Sequence, residues 1–202
     1  MIIAGAGGHA LEVLDILIAN GINEELFFYD DLTEKEVFKE KYPVIKSKLE
    51  LEIQLRKNPQ FILGTGNPKL RYHFYQLFKS LGGELITITG SSSNISSSSS
   101  MEGVDSMNLC FIGPEVKIGI GTLINTGAQI HHEVQLGEFS EINPGAVLLG
   151  SCQIGSFTSI GANATILPKI KIGNNVRIGA GSVITKDVPN AVTVVGVPGR
   201  IV

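Results

Sequence analysis

The chain has 202 residues, enough for one large domain or two small ones with a buried core. Its formal charge of −3, from 16 Lys and Arg against 19 Asp and Glu, offers no basic face to nucleic acid or to an anionic membrane. No positively charged segment leads into a short apolar one, and no apolar stretch is long enough to span a bilayer, so a reduced cytoplasmic protein is expected. The two cysteines, Cys110 and Cys152, lack metal-ligand spacing and are too few for a disulfide framework. Both fall on repeat positions that take small buried residues, so packing is their expected role.

In chain order, the apolar start Ile2-Ile3-Ala4 reads as a strand that meets Gly5-Ala6-Gly7-Gly8-His9-Ala10. A helical pattern follows through Leu11, Val13, Leu14, Ile16, Leu17 and Ile18 and ends near Asn20-Gly21. Leu26 to Tyr29 reads as a second strand closed by Asp30-Asp31, and Phe61-Ile62-Leu63 as a third running into Gly64-Thr65-Gly66-Asn67-Pro68. A helix through Leu70, Phe74, Leu77 and Phe78 should end at Gly82-Gly83, before a strand from Leu85 to Ile88. Strands alternating with helices imply a small parallel sheet over residues 1–90.

The serine-rich stretch Ser91 to Ser100 would suit a flexible linker. The preferred reading is the opening coil of the repeat array beyond it, degraded in sequence. From Ile112, steps of six land on Ile118, Ile124, Ile130, Leu136, Ile142, Leu148, Ile154, Ile160, Ile166, Ile172, Ile178 and Ile184. The next residue is often glycine, as at Gly113, Gly137 and Gly161, and small or β-branched residues such as Thr122, Ala128, Ser140 and Ala164 sit two before each stop. A period of six fits neither an α-helix nor a hairpin meander. It fits a coil of three short faces with one aliphatic per face turned inward, and such coils must stack to bury that column. The glycines are expected to relieve crowding at corners where the backbone needs positive φ. This β-helix should fill residues 91–202.

Two clusters could carry chemistry. Gly5 to Ala10 fits the G-x-G-x-x-A form of a phosphate-binding turn at a helix N-terminus, with Asp30 where a ribose-binding acid would stand. Only one βαβ half is present, which disfavours a redox dinucleotide and favours a mononucleotide or nucleotide-sugar pocket; a purely structural turn is the alternative. His131-His132-Glu133 interrupts the repeat. Imidazole suits proton transfer near neutral pH, and a neighbouring carboxylate can fix its tautomer, but adjacent residues cooperate only near a corner. Otherwise they are exposed polar residues on a coil. The four histidines, His9, His73, His131 and His132, give no three separated ligands in the repeats, so no metal is expected.

Taken together, these pieces resemble the sialic-acid and bacillosamine-type sugar acetyltransferases. The resemblance rests on Gly5-Ala6-Gly7-Gly8-His9, Tyr29-Asp30-Asp31, Gly64-Thr65-Gly66-Asn67 with Arg71, Asn125 to Glu133, Leu136-Gly137, Asn143-Pro144-Gly145 and Val195 to Arg200, in that order along essentially the whole chain. It implies a small Rossmann-like parallel α/β domain followed by a left-handed parallel β-helix; the left hand comes from the resemblance, since crossover rules alone favour the right. It implies a homotrimer with active sites between subunits and acetyl-CoA as co-substrate. The implied activity is acetyl transfer to the amino group of a nucleotide-linked amino sugar, in surface glycan biosynthesis. His132 is implied as general base because it directly precedes the acid Glu133, which orients it, with Asn125 near the same centre. Glu141, Gly150, Ala162 and Ala180 match acetyl-CoA contact positions, with the Gly150 amide a donor to the thioester carbonyl. Gly7, Gly8, His9, Asp30, Asp31 and Gly66 match positions that hold the nucleotide sugar. The chain departs from the family at Glu141, where relatives usually carry a second histidine, and in the serine tract.

Other readings differ in what they explain. O-acetylation of a sugar or of free sialic acid uses the same base. Serine- or maltose-type acetyltransfer keeps the β-helix but leaves the Gly5–His9 turn without a purpose. An inactive trimeric scaffold predicts no acetyl-CoA binding.

Overall fold

A computed structural model describes residues 1–202, in two compact units, Met1–Ile88 and Thr89–Val202. The first holds β1 (Ile2–Ala4), α1 (Gly8–Ala19), β2 (Phe27–Tyr29), β3 (Val37–Phe38), β4 (Tyr42–Ile45), α2 (Lys48–Lys57), β5 (Gln60–Leu63), α3 (Pro68–Ser80) and β6 (Glu84–Leu85). Its sheet runs β3-β4-β2-β1-β5-β6, parallel except for the β3–β4 hairpin. β1 is wholly buried, as are Phe61, Ile62 and Leu63 of β5, because helices cover a parallel sheet on both faces. The hairpin and α2 lie in a stretch for which the sequence pattern predicts no element. The expected last strand, Leu85 to Ile88, divides: β6 ends at Leu85, and Ile88–Thr89 is a separate short strand at the junction of the units.

The second unit is a parallel β-helix of three faces. Face I carries Phe111–Ile112, Gln129–Ile130, Val147–Leu148, Thr165–Ile166 and Val183–Ile184; face II carries Lys117–Ile118, Gln135–Leu136, Gln153–Ile154 and Lys171–Ile172. Face III carries Asp105–Ser106, Leu123–Ile124, Glu141–Ile142, Ser159–Ile160 and Arg177–Ile178, and ends in Thr193–Val195, which pairs antiparallel with Arg200–Ile201. Phe111 stands beside Gln129, and Gln129 beside Val147, so one coil is eighteen residues, three steps of six. The stepped Ile and Leu residues from Ile112 to Ile184 are all buried in one continuous cluster, joined by Cys110 and Cys152. Burial raises both thiols, Cys152 to about 12, so neither is a ready nucleophile.

The serine tract is the first coil. Asn94–Ile95 pairs with Phe111–Ile112, and Ser100–Met101 with Lys117–Ile118. Its hydroxyls support the coil above, where Ser92, Ser93 and Ser98 accept the corner N–H groups of Leu109, Cys110 and Glu115. A chain poor in aliphatics can therefore open the stack, because it satisfies the next coil's backbone.

The glycines next to the inward residues serve a different end from the expected one. From Ser106 to Ile178, positive φ falls three residues after the inward residue, as at Leu109, Glu115, Gly121, Gly127, Glu133 and Phe139. Glycine is needed beside the inward residue for close approach: a Cβ at Gly161 would lie 2.5 Å from the backbone N of Ala180 in the next coil. Crowding between coils, and not the φ angle, selects it.

A buried column of hydroxyls ties successive coils together. Thr122 donates to the Gly137 carbonyl and accepts from the Ser140 N–H; Ser140 donates to Gly155 and accepts from Thr158; Thr158 donates to Gly173 and accepts from Val176. Ser140→Ala strips the Thr158 N–H of its acceptor inside the core. We expect it to cost about 1–3 kcal/mol, read as a lower urea midpoint.

Candidate active site

In the first unit, register builds the pocket. Ala4 lies level with both Tyr29 and Leu63, so Gly5, Asp30 and Gly64 leave the carboxyl ends of three neighbouring parallel strands side by side. That is where open α/β sheets bind ligands. A cavity of about 450 Å³ opens there. All six residues expected to hold a nucleotide sugar, Gly7, Gly8, His9, Asp30, Asp31 and Gly66, line it, and Leu32, Leu70, His73 and Phe74 add a largely apolar wall.

Gly5 takes φ +110°, a conformation costly for any residue with a Cβ, and its N–H donates to the Tyr29 carbonyl at 2.8 Å. α1 then starts at Gly8, with no side-chain cap and no acidic residue in its first turn, which leaves its leading N–H groups for an anion. Asp30 is a brace for this turn: one carboxylate oxygen accepts from the Ala6 N–H and the other from Leu32 and Thr33. On the far side Arg71, fully buried, donates to the carbonyls of Leu63 and Thr65 and fixes the loop that carries Gly66. His9 Nδ1 meets Glu12 at 3.0 Å, while its Nε2 is buried without a protein partner.

In the second unit, Glu133 occupies a corner between faces I and II with φ 60°. The backbone turns there, so His132 and Glu133 no longer point to opposite sides, and His132 Nδ1 lies 3.0 Å from Glu133 Oε2. An ionised carboxylate only accepts, so Nδ1 carries the proton of the neutral ring and Nε2 carries the lone pair. Hydrogen bonds from His132 and then Ser151 hold the Glu133 carboxyl below its ordinary range, with the Lys169 ammonium adding to the effect.

One coil on, Gly150 lies directly under the ring: a Cβ there would overlap His132 Cε1 and Nε2. The Gly150 N–H donates to no acceptor within the chain. A free backbone donor beside a free imidazole lone pair can serve a carbonyl that gains negative charge while a proton is removed nearby.

The PglD N-terminal domain model matches residues 1–78, and the bacterial transferase hexapeptide (six repeats) model matches residues 151–186. The acetyltransferase domain of PglB from Neisseria gonorrhoeae FA1090 is 31% identical, with a TM-score of 0.91 over 100% of this chain and 98% of that one. The chain belongs to the hexapeptide-repeat sugar acetyltransferases. PerB from Caulobacter crescentus, solved in complex with CoA and GDP-perosamine, is 28% identical with a TM-score of 0.90 over 100% of this chain and 96% of that one. WeeI from Acinetobacter baumannii AYE, at 22% identity and a TM-score of 0.75 over 100% and 98% of the two chains, shares the fold. No curated protein matches by sequence.

As in this acetyltransferase family, the β-helix is left-handed and the first unit is Rossmann-like. No group of three or more His, Cys, Asp or Glu is arranged to hold a metal ion, and no helix is long and apolar enough to cross a membrane. Within one acetyltransferase chain His132, Glu133 and Gly150 come together, but the other expected residues do not join them. Asn125, Ala162 and Ala180 follow face III, at its corner with face I, where the Asn125 side chain accepts from the Thr126 N–H. Glu141 is on face III itself, half-buried, and accepts from Ser159. Ser151, which also donates to Glu133 Oε2 at 3.1 Å, is not among the residues the sequence singles out. Its signal is arithmetic: it lies eighteen residues, one coil, after Glu133.

Proposed function

We propose that this protein transfers acetyl from acetyl-CoA to the amino group of a nucleotide-linked amino sugar, with His132 as general base. The observation that carries the proposal is the His132–Glu133 pair laid over the free Gly150 N–H. His132 Nε2 takes a proton from the acceptor amine as its nitrogen attacks the thioester carbonyl. The Gly150 N–H holds the oxyanion of the tetrahedral intermediate, whose collapse breaks the C–S bond. The departing thiolate recovers a proton from His132, leaving an acetamido sugar and CoA. The pocket at Gly7, Gly8, His9, Asp30, Asp31 and Gly66 holds the nucleotide sugar: phosphate oxygens at the open α1 N-terminus, the base against Leu32, Leu70 and Phe74, and a polar ligand atom on His9 Nε2.

The working form is a homotrimer with the site between subunits. Gly150 and His132 lie at one edge of face I, while Asn125, Ala162 and Ala180 lie at the other. A second copy packed along face I would bring one subunit's first edge to its neighbour's second, so that acetyl-CoA touches both. Glu141, beside that second edge, takes the donor-contact position occupied by histidine in relatives. Face I suits such packing better than face II, since Phe111, Val147 and Val183 alternate with Gln129 and Thr165 at its outward strand positions, where face II has Lys117, Gln135, Gln153 and Lys171. The resemblance to PerB, solved with CoA and GDP-perosamine, supports the substrate class; surface glycan biosynthesis is the use proposed for the product. Cytoplasmic action follows from where acetyl-CoA and nucleotide sugars are made.

The test is thiol release from acetyl-CoA against UDP-, GDP- and dTDP-linked amino sugars, their hydroxyl counterparts and free sialic acid. Turnover confined to the amino sugars supports the proposal; turnover confined to hydroxyl acceptors replaces N- with O-acetylation; none with any acceptor rejects it. Asp30→Ala should raise KM for the nucleotide sugar about tenfold, as the brace on the Gly5–Gly8 turn is lost, with KM for acetyl-CoA unchanged.

A further inference from the structure

The corner that carries His132 differs from the corner between faces III and I in the residues it tolerates at positive φ. At the corner between faces III and I, those positions are Leu109, Gly127, Gly145, Asn163 and Gly181, mostly residues that accept a left-handed backbone cheaply. At the His132 corner they are Glu115, Glu133, Ser151 and Lys169, without a single glycine or asparagine. A side chain kept at a position that disfavours one is a pointer to use. Three of these, Glu133, Ser151 and Lys169, form one column on successive coils beside the proposed base.

Within the column Ser151 makes two contacts with the pair below it. Its hydroxyl donates to Glu133 Oε2 at 3.1 Å, the same oxygen that faces His132 Nδ1 at 3.0 Å, and its N–H donates to the His132 carbonyl at 2.9 Å. The side chains of His132 and Glu133 are 60% and 61% exposed, so packing does not hold the carboxylate in place. Glu133 has three rotatable bonds, and one hydrogen bond to a ring that itself turns leaves their shared geometry loose.

We propose that Ser151 is the positioning residue of the active site: its hydroxyl pins Glu133 Oε2, and through it sets the tautomer and direction of the His132 ring. This rests on His132 being the base. Ser151 touches neither substrate nor the reacting atoms; it acts through Glu133. The charged and titratable groups facing that carboxylate are His132, beside it, and Lys169, two coils on. Hydrogen bonds from His132 and Ser151 both favour the ionised carboxylate. Without the Ser151 donor, Glu133 keeps only the His132 contact and can turn away from it, so the proton on Nδ1 loses the acceptor that fixes it there.

Three variants separate this from a structural role. Ser151→Gly removes the hydroxyl while relieving the left-handed backbone, so its Tm should hold or rise. Ser151→Ala removes the hydroxyl and keeps the strain. Ser151→Asn suits the backbone and retains a donor. With the acceptor turned over fastest, kcat/KM at neutral pH should drop about tenfold in Ser151→Gly and Ser151→Ala, the worth of one hydrogen bond. Ser151→Asn should recover most of it. Nitrogen NMR of His132 should show the proton settled on Nδ1 in the wild type and shared with Nε2 in the glycine and alanine variants. A wild-type kcat/KM and tautomer in those two variants, with His132→Ala inactive, would overturn this inference alone. Wild-type turnover in His132→Ala would overturn it together with the assignment of the base.

Discussion

Replacing His132 with alanine should lower kcat by roughly 10²–10⁴-fold, the usual contribution of a positioned general base, with KM for acetyl-CoA little changed. The ring is 60% exposed and its hydrogen-bond partner is the adjacent Glu133, so the fold loses little: stability should stay within about 0.5 kcal/mol of wild type. Steady-state thiol release, thermal unfolding and light scattering for the oligomeric state together separate loss of chemistry from loss of structure. Wild-type turnover in this variant would remove His132 from the mechanism. Turnover lost together with the fold would mean that the histidine is structural.

Gly150→Ala should be almost as damaging, although it adds only a methyl group. The new Cβ would occupy the space of His132 Cε1 and Nε2, the atoms proposed to face the acceptor. Gly150 is absent from the glycines with positive φ, so its backbone accepts alanine and the clash with the ring is the whole effect. The ring can escape only by swinging away from Glu133. A displacement of about 1 Å is enough to cost a hundredfold in kcat, and that is the expected loss. The double variant with His132→Ala should be no slower than His132→Ala alone, because the methyl group then meets empty space; that lack of additivity is the signature of a shared role. A Gly150→Ala enzyme with wild-type kcat would show that the ring direction is not used.

The β-helix was legible in the sequence because its signal is redundant. Thirteen inward stops from Ile112 to Ile184 agree in phase, and each is a buried Ile or Leu. The second helix of the first unit shows the opposite case. Lys48–Lys57 reads Lys-Leu-Glu-Leu-Glu-Ile-Gln-Leu-Arg-Lys, an alternation with the period of a strand. It folds as α2 because the Ser47 side chain caps the Glu50 N–H and Glu52 pairs with Arg56 one turn on, at 2.7 Å. The cost is visible: Leu51 and Leu55 are buried while Leu49 stays 70% exposed.

The candidate site was legible where it is local and obscure where it is not. The Gly5 turn and the His132–Glu133 pair are contiguous in sequence, so residue type and order suggest them. The bracing role of Asp30 needed the strand register, which sets this pocket-lining acid against the Ala6 N–H as well. Ser151 needed the length of a coil, because nothing in its immediate neighbours points to Glu133. The β3–β4 hairpin had no pattern long enough to read, with only two and four residues in its strands.

The eighteen-residue coil also decides which insertions and deletions this protein can absorb. Adding or removing a whole coil beyond Lys169 lengthens or shortens the stack and leaves every corner in line with its predecessors. A six-residue change between Glu133 and Gly150 would look innocuous in sequence, since each inward position would still fall on an aliphatic residue. It would nonetheless rotate all later residues by one face and carry Gly150 and Ser151 away from His132 and Glu133. Hydrophobic periodicity survives changes of six, but the hydroxyl column of Thr122, Ser140 and Thr158 and the alignment of the His132 corner both need changes of eighteen.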